Sequence, residues 1–249
     1  MAMEKGFWLA ARRFWQTILF LRMEKQGLAQ AVFSRGGELL TRTGDNTGRW
    51  KEHFQELLNP TTMSCTVNPQ ATSTVTPQTP RPLYPISGTT SSRSDDGSSP
   101  QIVLQRPFVY FGRSYNHIYV NHNGHLTFNA SWSRYIPLQF PLHGSRDIIA
   151  PFWTDLDNRG NGQVIYNQYT NGNVLQQATQ DINAYFPGLH FNANWVFVAT
   201  WYQVAYYPVT NTQTTIQAVL ISGGRYSFVL MNYGILAATT RNIQAGYDT

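Results

Sequence analysis

The run Asp147-Ile-Ile-Ala-Pro-Phe-Trp-Thr-Asp-Leu-Asp157 constrains the fold of this chain more than any other stretch. Ile148, Ile149, Phe152 and Trp153 pack too much apolar surface into too short a span to leave either side in water, so they fit a core strand covered on both faces. Pro151 cannot donate to a ladder, so it requires a strand edge, a first-residue position or a bulge. Asp155, Asp157, Asn158 and Gly160 then make a tight polar turn into the next apolar run, Val164-Ile-Tyr166. The acids therefore bracket a seam in a β-rich domain.

The flanking sequence has the same character. Residues 107–111 and 115–120 are aromatic and β-branched, and Asn121-His-Asn-Gly124 joins the second run to Leu126-Thr-Phe128 as a hairpin. Residues 194–207, 215–222 and 225–233 are further strands, the last two joined at Gly223-Gly224. In Val196-Phe-Val-Ala-Thr-Trp-Tyr202 apolar residues dominate both faces, as in a central strand. Val174, Leu175, Ala178, Ile182, Tyr185 and Phe186 instead recur at helical spacing, and Pro187-Gly188 ends that helix. The expected fold is mainly β: an antiparallel sandwich-like domain with one covering helix.

The first 60 residues use a different vocabulary. They hold nine Lys and Arg against six Asp and Glu, whereas residues 101–249 hold seven Arg, five Asp, no Lys and no Glu. Such a break argues that two unrelated pieces are joined. Phe7, Trp8, Ala11, Trp15, Ile18, Leu19 and Arg22 predict a helix over roughly the first 30 residues, residues 34–45 a pair of short strands or turns, and residues 49–58 a second helix ended by Asn59-Pro60. The apolar stretch 17–21 is too short for a spanning helix or a signal-peptide core, so this chain is expected to carry neither. Residues 61–100 are rich in Thr, Ser and Pro and predict a flexible linker, most clearly over 61–82.

Several blocks, in order, carry a family resemblance: Ser94-Asp-Asp-Gly-Ser-Ser-Pro100, Tyr119-Val-Asn-His-Asn-Gly-His-Leu-Thr-Phe-Asn129, the Asp147–Asp157 seam, Val198-Ala-Thr-Trp-Tyr202, Thr215-Ile-Gln-Ala-Val-Leu220, Tyr226-Ser-Phe-Val-Leu-Met-Asn-Tyr233 and Gln244-Ala-Gly-Tyr247. Residues 83–249 resemble the NIDO domain, the extracellular module of nidogen, alpha-tectorin and a membrane mucin, with Pro151, Phe152, Trp153, Asp155 and Asp157 in its central signature. The resemblance implies a non-catalytic interaction module, located outside the cell and acting in cell–matrix adhesion or matrix assembly. Its partner would be a matrix or cell-surface protein. Residues 12–60, from Arg12-Arg-Phe-Trp15 to Leu57-Leu-Asn-Pro60, resemble the connecting region between endonuclease and reverse transcriptase in LINE-type retrotransposon polyproteins, which holds neither active site. The alternative reading is accordingly a non-secreted or non-functional fusion of a transposon fragment with a NIDO exon.

Candidate chemistry is sparse. Asp155, Asp157 and Asn158 offer oxygens like a calcium loop, yet Arg159 stands where an EF-hand has its next ligand, so turn capping and pairing with Arg146 or Arg159 is the preferred role. His117, His122, His125 and His143 match no structural zinc spacing. Asp147 and Asp155 could form a paired-carboxylate site, but no phosphate loop or nucleophile elbow accompanies them, and no enzyme, cofactor or small-molecule substrate is expected. The net charge of +5 comes with scattered arginines in the β domain rather than a basic face, which argues against nucleic acid. Cys65, the single cysteine, excludes an intrachain disulfide. Asn129-Ala-Ser131 is the one N-glycosylation acceptor.

Overall fold

The computed structural model describes residues 15–22, 32–33, 39–41, 83–142, 144 and 146–249. The helix expected over 49–58, the linker over 61–82 and His143 lie outside those residues. Two antiparallel sheets form the fold. The larger runs in the order β3 (Leu39–Thr41), β2 (Val32–Phe33), β1 (Trp15–Arg22), β13 (Tyr226–Tyr233), β12 (Val209–Gly223), β11 (Trp195–Tyr206), β10 (Gln163–Tyr169) and β4 (Thr89–Thr90), and β9 (Leu156–Asp157) pairs the far end of β11. The smaller runs β14 (Gln244–Asp248), β8 (Ile148–Trp153), β7 (His125–Thr127), β6 (Arg113–Asn121) and β5 (Ile102–Tyr110).

Strict alternation along the central strands divides their side chains between two apolar layers. Trp195, Phe197, Ala199 and Trp201 of β11, Ile216, Ala218 and Leu220 of β12, and Val229, Met231 and Tyr233 of β13 meet Phe108, Ile118, Val120, Leu126 and Phe152 of the smaller sheet. Their neighbours Val196, Val198, Val219, Ile221, Phe228 and Leu230 turn to the opposite face and are covered by Val174, Ala178 and Ile182 of the helix α1 (Asn173–Tyr185). The sandwich with one covering helix is thus the observed architecture among the described residues. A helix lies on the outer face because β11 to β13 are apolar on both sides.

One sequence expectation is corrected, and a second segment is decided between composition and resemblance. Trp15–Arg22 is not helical but a strand, pairing β13 residue for residue from Trp15 opposite Tyr233 to Arg22 opposite Tyr226. Apolar residues at that spacing fit either element, and tertiary pairing overrides a weak local preference. Residues 83–100, linker-like in composition but within the span of the family resemblance, are seated on the fold. The Tyr84 backbone N–H donates to Gln217 Oε1 (2.9 Å) and its carbonyl accepts from Gln217 Nε2 (3.0 Å), while its hydroxyl donates to Asp181 on α1 (2.9 Å). Gln217, fully buried, uses its remaining capacity on Thr200 and Asn232. This buried amide fixes a segment whose own composition could not order it.

Candidate functional site

β8 is buried along its whole length, and Pro151 marks a bulge in it. Opposite it, β14 shifts register between Gln244, which faces Trp153, and Gly246, which faces Ala150. The extra residue changes the facing of the side chains beyond it. Before the bulge Ile149 points between the sheets while Ile148 and Ala150 point outward. After it Phe152 points between the sheets and Trp153 outward. Tyr233 donates to the Pro151 carbonyl (2.9 Å), satisfying an acceptor at the break in the ladder.

Trp153 closes an aromatic box on the outer face of the smaller sheet. Its ring centroid lies 5.0 Å from Trp132, 4.8 Å from His125 and 6.2 Å from Phe140, and its Nε1 donates to the Arg134 carbonyl (2.8 Å). The Arg146 guanidinium stacks over Trp132 at 4.7 Å instead of pairing with the seam acids. His125 is fully buried, and neither ring nitrogen has a hydrogen-bond partner. Burial pushes its pKa down to about 3, so it is neutral.

The other end of the seam is polar. Asp157 accepts from the Arg159 backbone N–H (2.9 Å) and from its guanidinium, the expected cap and pair, and the Arg159 hydrogen bonds hold its pKa below the usual carboxylate range. Asn158 accepts from the Ser94 N–H and donates to the Ser92 carbonyl, so it ties the seam to the segment that crosses it. Asp155 faces Asp95 and Asp96, oxygens from all three lying within 4.8 Å of one another. Burial, then the charge of Asp96, raises the Asp155 pKa to about 6, opposed by Arg241 at 3.7 Å. At the far end of β8, Asp147 accepts from Tyr115 and from Arg113 (3.1 Å). It is therefore not paired with Asp155.

The segment Ser91–Ser99 crosses this end and is stitched to it. His122 contacts Ser91 Oγ (2.8 Å) through Nε2 and the Ser94 carbonyl (3.1 Å) through Nδ1, and Asn123 donates to Asp96 (2.8 Å) while accepting from the Leu156 N–H (2.9 Å). Gly97 and Gly124 permit the close approach. A Cβ on Gly97 would lie 2.6 Å from His122 Nδ1, and one on Gly124, at φ +82°, would lie 2.0 Å from the Phe152 carbonyl oxygen. Sequence reading missed Asp95, Asp96, Asn123 and Arg241. The Ser94-Asp-Asp-Gly block was the visible signal for Asp95 and Asp96, and the Asn121–Gly124 turn for Asn123. Among the described residues Asp95, Asp96 and Asp155 form the one close group of three metal-ligating side chains, and His117, His122 and His125 are not part of it. Asn129, in the loop after β7, is exposed, and so are Tyr135 (45%) and Ile136 (50%) further along it.

The model of the nidogen-like domain matches residues 116–249. Alpha-tectorin of Mus musculus is 41% identical over 169 residues, covering 66% of this chain and 8% of that protein. Nidogen of Drosophila melanogaster is 32% identical over 145 residues (55% and 10%), and dendrite extension defective protein 1 of Caenorhabditis elegans 30% over 152 residues (58% and 13%). The chain therefore spans a small part of each of these relatives. No solved structure matches it.

Proposed function

The chain belongs to the nidogen-like domain (NIDO) family, and from that premise we propose that it is an extracellular interaction module acting in cell–matrix adhesion or matrix assembly. Its family makes it a structural module rather than an enzyme. The observation that carries the reading is the continuous match over residues 116–249, the part of the chain that forms most of both sheets. The seam chemistry agrees with it: Asp147, Asp157, Asn158 and His122 all make hydrogen bonds that hold the fold together. Binding would then fall to exposed side chains such as Tyr135 and Ile136, since aromatic anchors dominate protein contacts.

The test is retention of the full chain, secreted behind a supplied signal peptide, on a decellularised matrix. Saturable retention that unlabelled chain competes away is expected. Retention no greater than that of an unrelated secreted β-sandwich would refute the reading. In the same preparation Asn129 should carry one N-glycan, because the acceptor side chain is exposed beside the Ser131 that completes the motif. Glycosidase treatment should increase gel mobility by one glycan, and the shift should vanish in Asn129→Gln.

A further inference from the structure

Sheet edges need protection, and the edges of this fold differ in how they obtain it. β4 has two residues. β5 carries Arg106-Pro107 and shifts register between Val103 and Phe108, and β14 has five residues and a shift of its own. β13 has none of these devices. Its sequence Tyr-Ser-Phe-Val-Leu-Met-Asn-Tyr is uncharged and free of Pro and Gly, and it pairs β12 over all eight residues without a shift. Such an edge is a ready template for another strand.

In this chain β1 covers it, again over eight residues without a shift. β2 and β3 then carry the sheet outward in strands of two and three residues, so the outermost edge becomes a short one. β1 lies outside the residues that match the family. We propose that β13 is a strand-receiving edge and that Trp15–Arg22 is its occupant in cis, a tethered strand that masks a docking surface of the family module. Covalent continuity with the β domain keeps the strand at high effective concentration. The proposal does not depend on the adhesive role argued above.

The test is amide exchange across β13 in the full chain and in an Ile18→Pro, Leu19→Pro variant, in which adjacent prolines remove ladder donors on both sides of β1. Every second β13 amide, those facing β1, should lose protection on the order of tenfold or more in the variant, while amides facing β12 keep theirs. Excess peptide of residues 14–23 should restore it. Unchanged protection in a monomeric variant, or no effect of the peptide, overturns the proposal, and unchanged protection with a doubled mass assigns the edge to a second copy instead. A second measurement avoids substitution in β1. With a protease site placed within residues 61–82, the cleaved N-terminal fragment should stay bound to the β domain at micromolar concentration, and its immediate loss on gel filtration would also overturn the proposal.

Discussion

Trp153 and Asp155 are neighbours but one in sequence, yet the surroundings of the two differ in kind. Around Trp153 the partners are rings, and the indole N–H is its one polar demand, met by the Arg134 carbonyl. Around Asp155 the partners are charges and amides, with Asp95 and Asp96 crowding it, Arg241 opposing them and Asn123 tying the strand to the crossing segment. Stability at the first end depends on filled volume, and at the second on satisfied polar groups. Substitutions at the two ends should therefore fail in different ways.

The largest effect is expected from Trp153→Ala, which empties the centre of the aromatic box. Truncating a buried Trp costs about 3–5 kcal/mol, a large share of the stability of a domain of this size, about 5–15 kcal/mol. Urea unfolding should show that loss. A cooperatively melting Trp153→Ala protein of wild-type midpoint that no longer binds matrix would instead make the box a binding face.

The second effect is acid sensitivity of the same end. With a folded pKa near 3 against an unfolded value of about 6.5, the neutral His125 contributes stability that is fully present above pH 6.5 and lost as pH falls from there toward 3. Its share of the slope is about 1.4 kcal/mol per pH unit at most. His122 is shifted in the same direction, chiefly by burial, and adds to the loss. His125→Phe keeps a ring in the box and sacrifices no hydrogen bond, so the melting midpoint should fall less steeply between pH 6.5 and 4.5. An identical slope in the variant would place the sensitivity elsewhere.

At the polar end Asn123→Ala leaves the buried Leu156 N–H and Asp96 each short of a partner. The expected cost is about 1–3 kcal/mol, read by urea unfolding at pH 7. Asn123→Ala costing more than Trp153→Ala would reverse the comparison.

How much of this was legible follows the same division. Local apolar pattern reveals β8, the central strand β11, the Asn121–Gly124 hairpin and the helix from Val174, because burial writes itself into periodicity. Pro151 likewise signals an irregularity, though the choice of a bulge over an edge or a strand start comes from the pairing with β14. Pairing between segments distant in sequence leaves no such trace. Trp15, Ile18, Leu19 and Arg22 satisfy a helical spacing and still form a strand, since the free edge of β13 decides the matter. Gln217 reads as one polar residue in an apolar strand, and nothing nearby announces that it will hold Tyr84. Asp95 and Asp96 meet Asp155 only once the serine-rich segment crosses the seam.

The smallest effect is expected from Asp155→Asn, and its sign is opposite to that of the others. A carboxyl whose pKa rises from an ordinary 3.8 to about 6 is harder to ionise in the folded protein, with burial first and Asp96 second as causes. Its stabilising contribution is complete below pH 3.8 and lost as pH rises through 6. Above that pH the ionised carboxylate is a liability that the amide removes. Asp155→Asn should therefore melt slightly higher than wild type at pH 7, although it gives up the Arg241 pair, which at 3.7 Å and partly exposed is worth little. The gain should shrink as pH falls toward 4, so the variant should lose stability more steeply with acid than wild type, whereas His125→Phe should lose it less steeply. Millimolar calcium should leave both midpoints in place, since the positive charges of Arg159 and Arg241 beside the three carboxylates oppose a cation. A calcium-dependent rise in wild type that Asp155→Asn lacks would turn this end of β8 from a crowded structural turn into a cation site.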